Sequence, residues 1–148
     1  MSISKIMCAV DLAEDSKPIA RYTANLARSF GASVLVIYAA PSLSQYVGFH
    51  VPPNTIESFV DEITAGAEQN MEKFVKENFE GIKAEGRVLV GYASEEILRR
   101  SVEEKCDIIV MGTHGRTGFD RILFGSVAEK VVQNSTIPVL TVRPEDVE

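Results

Sequence analysis

Gly112, Gly115, Gly125 and Ser126 stand in the spacing Gly-x2-Gly-x9-Gly-Ser, after an apolar run at residues 106–111 and before a helical pattern at 127–134. A strand, a glycine-rich loop and a helix in that order can hold phosphate. Glycine has no Cβ, so the backbone can approach an anion closely and turn its N–H groups toward it. The helix start adds partial positive charge at the same place. Ser126 can cap the last helix and donate its hydroxyl to a phosphate. Arg116 and Arg121 lie in the same loop and could neutralise phosphate, although a loop arginine is as readily just solvated. Three glycines also build a plain tight turn, so the pattern alone leaves both readings open.

Other chemistry is sparse. His114 sits in the loop without triad partners and reads as a hydrogen-bonding surface residue. His50 is far from it, and Cys8 and Cys106 lie in apolar runs, so the histidines and cysteines do not make a zinc site. No catalytic residue and no protein metal ligand is assigned. A P-loop needs Gly-x4-Gly-Lys-Ser/Thr, and no glycine here precedes a lysine. A dinucleotide fingerprint needs Gly-x-Gly-x2-Gly after the first strand, where this chain has Asp11, Leu12 and Ala13. The loop after the fourth strand is a different device.

Five apolar runs alternate with four helical patterns. Residues 6–12 read as a strand ending near Asp11, followed by a helix that starts at Asp15 or Ser16, tolerates Pro18 in its first turn and stops at Gly31. Its inner face is expected to be Ile19, Thr23, Leu26, Ala27 and Phe30. The near-continuous apolar run 33–39 is expected of a strand covered on both faces. A loop over about 40–53 carries Tyr46, Phe49 and His50; its aromatics are expected to cover the domain's own core, although they could instead cover a ligand or a partner. Asn54 and Glu57 resemble a capping box for a long helix with Ile56, Phe59, Val60, Ile63, Ala67, Met71, Phe74 and Val75 inward and a bend at Gly66. The run 84–90 is a more polar strand, near an edge. Ser94 is expected to cap the next helix, with Glu95 and Glu96 complementing its dipole and Ile97, Leu98, Ser101 and Val102 inward. Residues 106–111 and 138–142 are the fourth and fifth strands.

Such alternation implies an α/β fold: a single three-layer domain over residues 1–148, with a five-stranded parallel sheet in the order 3-2-1-4-5 and helices on both faces. Ligands of these sheets bind beyond the carboxyl ends of the strands, where the winding direction reverses. That crevice would bring Asp11 opposite Gly112. A carboxylate there could instead cap the first helix or pair with a lysine.

The 148 residues suit one domain with a real core. Apolar residues are 45% and charged residues 24%, as in an ordinary globular protein. The formal net charge of −6 argues against nucleic acid as a partner. Acidic residues come too early for a signal peptide, and no run approaches a membrane span. With two cysteines that read as buried free thiols, a cytoplasmic location is expected.

The chain resembles a universal stress protein of the nucleotide-binding kind. The resemblance rests on Gly112, Gly115, Gly125 and Ser126, on their flanks IIVMGTHGRTG, LFGSVAEKVV and PVLTVR, on Val10–Asp11, and on the segment GYASEEI from Gly91. It implies ATP, or ADP or AMP, in the crevice, with Mg²⁺ or a similar ion on the phosphates. Carried over by position, Asp11 would contact the ribose or adenosine end, Ala39 would offer backbone to the adenine, and Met111 would pack on the base. Gly112, Gly115, Gly125, Ser126 and Val127 would surround ribose and phosphates. Many members carry proline where this chain has Ala93, which leaves that turn less rigid.

The resemblance also implies a homodimer, and the apolar edge strand from Pro138 to Val142 suits one. The function expected is a nucleotide-binding regulator of a stress response acting on an unspecified protein partner. A slow ATPase or phosphotransferase in the same crevice, and a nucleotide-independent dimeric scaffold or chaperone-like protein, are the alternatives.

Overall fold

The computed structural model describes residues 2–12, 16–40, 53–113 and 125–143. In chain order the elements are β1 (Lys5–Ala9), α1 (Ser16–Phe30), β2 (Ser33–Ala40), α2 (Pro53–Asn78), β3 (Ala84–Val90), α3 (Ala93–Glu103), β4 (Ile108–Gly112), α4 (Ser126–Asn134) and β5 (Val139–Val142). All strand pairs are parallel, and the sheet order is β3-β2-β1-β4-β5, as the alternation predicts.

Alternate residues of each strand serve opposite layers. Ile6, Cys8, Val34, Val36 and Val110 pack against Ile19, Ala20, Ala24 and Ala27 of α1 and Met71 of α2. Met7, Leu35, Ile37 and Ile109 pack against Ile97 of α3 and Ala128 and Val131 of α4. The central strands are therefore covered on both faces, which is why their sequences read as unbroken apolar runs. Both cysteines are free and buried. Burial pushes the Cys8 thiol up to about 12 and the Cys106 thiol up to about 11, so neither forms a reactive thiolate at neutral pH.

Several boundaries and faces differ from the sequence expectations. β1 ends at Ala9 rather than near Asp11; Val10 N–H still bonds Ile37 O at 3.0 Å, but Leu12 turns the chain out of the strand at φ 62°. Phe30, the last residue of α1 before the turn into β2, is 52% exposed. Val102 is 63% exposed; it lies about 100° around α3 from buried Ser101. Ser94 does not cap α3. The cap position is Tyr92, with no side-chain cap bond, and Ser94 is buried in the first turn. α2 runs unbroken through Gly66. Ala67 and Met71 of its expected stripe are buried and Ile63, Phe74 and Val75 half-buried. The side chains of Asn54, Ile56, Phe59 and Val60, and the loop with Tyr46, Phe49 and His50, lie outside what is described.

The C-terminus of α3 supplies a stability prediction. Cys106 N–H bonds Ser101 O at 2.9 Å and Lys105 N–H bonds Val102 O at 3.1 Å, the double closure of a Schellman motif. Its left-handed position is Lys105, at φ 55°, where glycine carries no steric cost. Lys105→Gly is expected to stabilise the chain by about 1 kcal/mol, read as a higher urea midpoint at unchanged slope. A lower midpoint would contradict it.

Asp107 ties the start of β1 to the turn before β4. Its Oδ2 accepts Ser4 N–H at 2.8 Å, Lys5 N–H at 3.0 Å and the Ser4 hydroxyl at 3.0 Å. These donors, the Ser4 backbone first, hold its carboxyl below the usual range. A depressed folded-state pKa means that the stabilisation is present above the ordinary aspartate value of about 3.9 and disappears as pH falls through the lower folded value. In Asp107→Asn the part of acid destabilisation below about pH 4 that belongs to this carboxylate should vanish. Parent and variant acid-unfolding curves of equal steepness would contradict this.

Candidate functional site

The site is built at the carboxyl end of the sheet, where the chain reverses its winding direction between β1 and β4. Ala9 stands opposite Met111 in register. One or two residues further, Asp11 and Gly112 leave the two neighbouring strands at the same end. Two parts of the sequence a hundred residues apart meet here because β1 and β4 pair directly.

Asp11 is half-buried, and its Oδ1 accepts the Ser16 hydroxyl at 2.9 Å. Ser16 is fully buried at the first residue of α1, so the bond orients the carboxylate from below. Leu12 at φ 62° is a backbone conformation that a branched residue rarely adopts; it turns the chain directly after Asp11. Sequence reasoning did not single out Ser16 as a partner of Asp11 or Leu12 as a special backbone position. The Asp-x4-Ser spacing across a strand-to-helix turn was the available signal for the first; nothing in the sequence marked the second.

Across the crevice, buried Thr113 donates its N–H to Val142 O at 2.9 Å and accepts Gly125 N–H at 2.6 Å. The two ends of the intervening segment are thus joined by one backbone bond, which brings Gly125 beside Gly112. Gly125 occupies the N-cap position of α4 at φ −72° and ψ 169°, with Glu129 N–H bonding its carbonyl at 2.9 Å. Ser126 is not the cap: it is the first helical residue and is exposed. Its hydroxyl, with the unsatisfied N–H groups of the first turn, lies where an anion could be met.

Ala39 is half-buried within β2, which continues through Ala40 rather than ending before it. Ala40 O accepts Gly91 N–H at 2.9 Å, so the far wall of this end of the sheet is also a strand end. Met111 is buried with Ala9 and Ala128 in the layer of α3 and α4, and Val127 packs against the same cluster. Gly115, Arg116, Arg121 and His114 lie outside the described residues. Of the nine residues named for nucleotide, the structure brings Asp11, Met111, Gly112, Gly125, Ser126 and Val127 to the β1–β4 crevice and its rim, with Ala39 at the end of β2 beside them.

Among the described residues there is no group of three or more His, Cys, Asp or Glu side chains that could hold a metal, and no helix long and apolar enough to cross a membrane. A Mg²⁺ ion carried on phosphates needs only one or two protein oxygens, and the Asp11 carboxylate and Ser126 hydroxyl are of that type.

The sequence pattern of the universal stress protein family matches residues 2–143. Universal stress protein MJ0531 of Methanocaldococcus jannaschii is 37% identical over 141 residues, 94% of this chain and 81% of that one. Among solved structures, that of MJ0577, from the same organism, matches with a TM-score of 0.85 at 28% identity, covering 97% of each chain. The universal stress protein of Archaeoglobus fulgidus in complex with dAMP matches with a TM-score of 0.70 at 25% identity, over 97% of this chain and 100% of its own.

Proposed function

This chain belongs to the universal stress protein family, and from that membership we propose that it is a regulatory protein that binds an adenine nucleotide, with ATP as the ligand and Mg²⁺ on the phosphates. The observation that carries the reading is the bond from Gly125 N–H to Thr113 O, which closes the glycine-rich segment at the switch point opposite Asp11. The dAMP in the Archaeoglobus fulgidus relative supports an adenine base with a phosphate at this fold.

In this reading Asp11 accepts a hydrogen bond from the ribose or adenosine end, held in place by Ser16. Ala39 offers backbone to the adenine, and Met111 forms the floor beneath the base. Gly112, Gly115 and Gly125 surround the ribose and phosphates, Gly125 by leaving room for them at the start of α4, because its own N–H is held by Thr113 O. Ser126 and Arg116 donate to the phosphates, and Val127 closes the apolar side. The α4 N-terminus favours the negative charge. The protein acts as one nucleotide-binding domain over residues 1–148, in the cytoplasm, as a homodimer. The dimer joins through β5, an edge of the sheet with Leu140 37% exposed. A monomer at tens of micromolar by sedimentation would remove the dimer.

Titration calorimetry with Mg²⁺–ATP, ADP and AMP tests the reading. Saturable binding of at least one of them is expected, and none by the folded protein would overturn it. Recovery of intact ATP after hours with Mg²⁺ is expected of a regulator; conversion at an enzyme's usual rate of about 1 per second or more would replace regulation with hydrolysis. The chain has no tryptophan and four tyrosines, so co-purified adenine would show as excess absorbance near 260 nm.

A further inference from the structure

The second edge of the sheet is β3, with no strand beyond it among the described residues. Lys83 O accepts Val34 N–H and Gly91 N–H donates to Ala40 O, each at 2.9 Å, bracketing the pairing of β3 with β2. Backbone groups of a strand turn to alternate sides, residue by residue. The odd-numbered residues of β3 therefore face β2. Ala84, Gly86, Val88 and Val90 turn their N–H and C=O groups away from the sheet.

α2 overhangs this edge. Glu68, Met71, Glu72 and Val75 of the helix, with Gly86 and Val88 of the strand, line a cavity of about 460 Å³. The helix sits low because position 86 is glycine: a Cβ there would lie 2.5 Å from Met71 Cγ and 2.9 Å from Val75 Cγ2. The floor is apolar, and beyond its end Val90 and Tyr92 are exposed. The rim is acidic. Glu68 and Glu72 are exposed, and neither is in an ion pair among the described residues. The cation in the wall, Arg87, is already engaged by Glu85 at 2.8 Å and by Glu104.

We propose that this slot receives an extended segment of another protein, alternately basic and apolar, which adds a sixth strand beside β3. Main-chain pairing with the outward groups of β3 supplies the docking. The charge spacing fits as well. Glu68 and Glu72 are four residues apart on a helix, about 6 Å along its axis, and alternate residues of a strand are about 6.8 Å apart. Two basic side chains at i and i+2 can each meet one glutamate, their stems lying over Met71 and Val75. The alternate, apolar side chains fall on the other face beside Leu89, which also lines the slot.

The test is titration of the full chain with an acetylated, amidated peptide of alternating lysine and valine, about eight residues long. Saturable binding is expected, with amide shifts concentrated at Gly86, Val88 and Val90. Replacing Glu68 and Glu72 together by glutamine should weaken it about tenfold and flatten its salt dependence. Two peptides of equal charge decide between pairing and charge attraction, one N-methylated on its lysines and the other on its valines. Only alternate amides of an added strand face its neighbour, so one should lose binding and the other keep it. Equal affinity of the two, shifts mapping elsewhere, or no saturation by millimolar peptide would overturn the proposal. So would self-association through β3 that the peptide does not reverse.

Discussion

A Gly125→Val chain is expected to bind ATP about a hundredfold more weakly or worse, while its melting temperature falls by only about 2–4 °C. The two effects separate because of the backbone. Gly125 sits at φ −72° and ψ 169°, a conformation that any residue adopts, so valine adds no backbone strain. The structural loss is that of a poorer cap, about 1 kcal/mol. The functional loss is larger, because the added branch stands where phosphate must approach the amides of Ser126 and Val127, which the first turn of α4 leaves without helix partners. Two hydrogen bonds to a charged group, each worth about 1.5–3 kcal/mol, go with that approach. Gly125→Ala should fall between parent and valine. Calorimetry and a thermal melt on the same preparations check both halves. Full affinity in Gly125→Val would mean that the nucleotide does not meet this segment of backbone.

Ile109→Ala is expected to be the most destabilising change among those considered, costing about 2–5 kcal/mol. Ile109 is fully buried on β4, opposite Met7 on one side and Val139 on the other, in the cluster with Leu35, Ile97 and Val131. It is held between two strands and beneath α3 and α4, so its surroundings have little freedom to collapse into the space left behind. Whole-chain stabilities are about 5–15 kcal/mol, so one such cavity removes a large share. The guanidinium midpoint should drop at unchanged slope, and the melting temperature should fall by about 4–20 °C. A loss below about 1 kcal/mol would show that this layer is loosely packed. The same strand ends at Gly112, so a shift in β4 would also be felt as weaker nucleotide binding.

The β3 slot and the β1–β4 crevice lie on different parts of the sheet. Nucleotide affinity in the Glu68/Glu72 variant and peptide affinity in Gly125→Val should each match the parent. That cross-comparison keeps the two proposals independent.

The order of elements was legible because burial on both faces leaves a sequence mark. Residues 34–37 must be apolar at every position when helices cover both sides of β2, and the glycine stop at Gly31 is required by its left-handed φ of 64°. Alternating strands and helices then leave few right-handed parallel topologies, and the observed order is among them. The glycine-serine spacing pointed to one segment, and the fold places its ends, Gly112 and Gly125, together.

Faces and partners depended on distances that a one-dimensional pattern does not carry. Val102 and Phe30 fit a helical period yet are exposed, because the period says nothing about how far a helix extends over the sheet or which way it is turned on it. Ser94 and Ser126 have the chemistry of caps, yet the helices begin a residue earlier or at the residue itself, with Tyr92 and Gly125 in the cap positions. The Asp11–Ser16 bond, the strained Leu12 and the slot beneath α2 arise from tertiary contacts. The amino-acid order alone determined which segments must be buried and where a phosphate-sized anion could be approached, since those follow from side-chain type and spacing. Which atoms face one another there, and that among the described residues β3 ends the sheet under an acidic helix, was decided only when the strands paired and the helices settled on them.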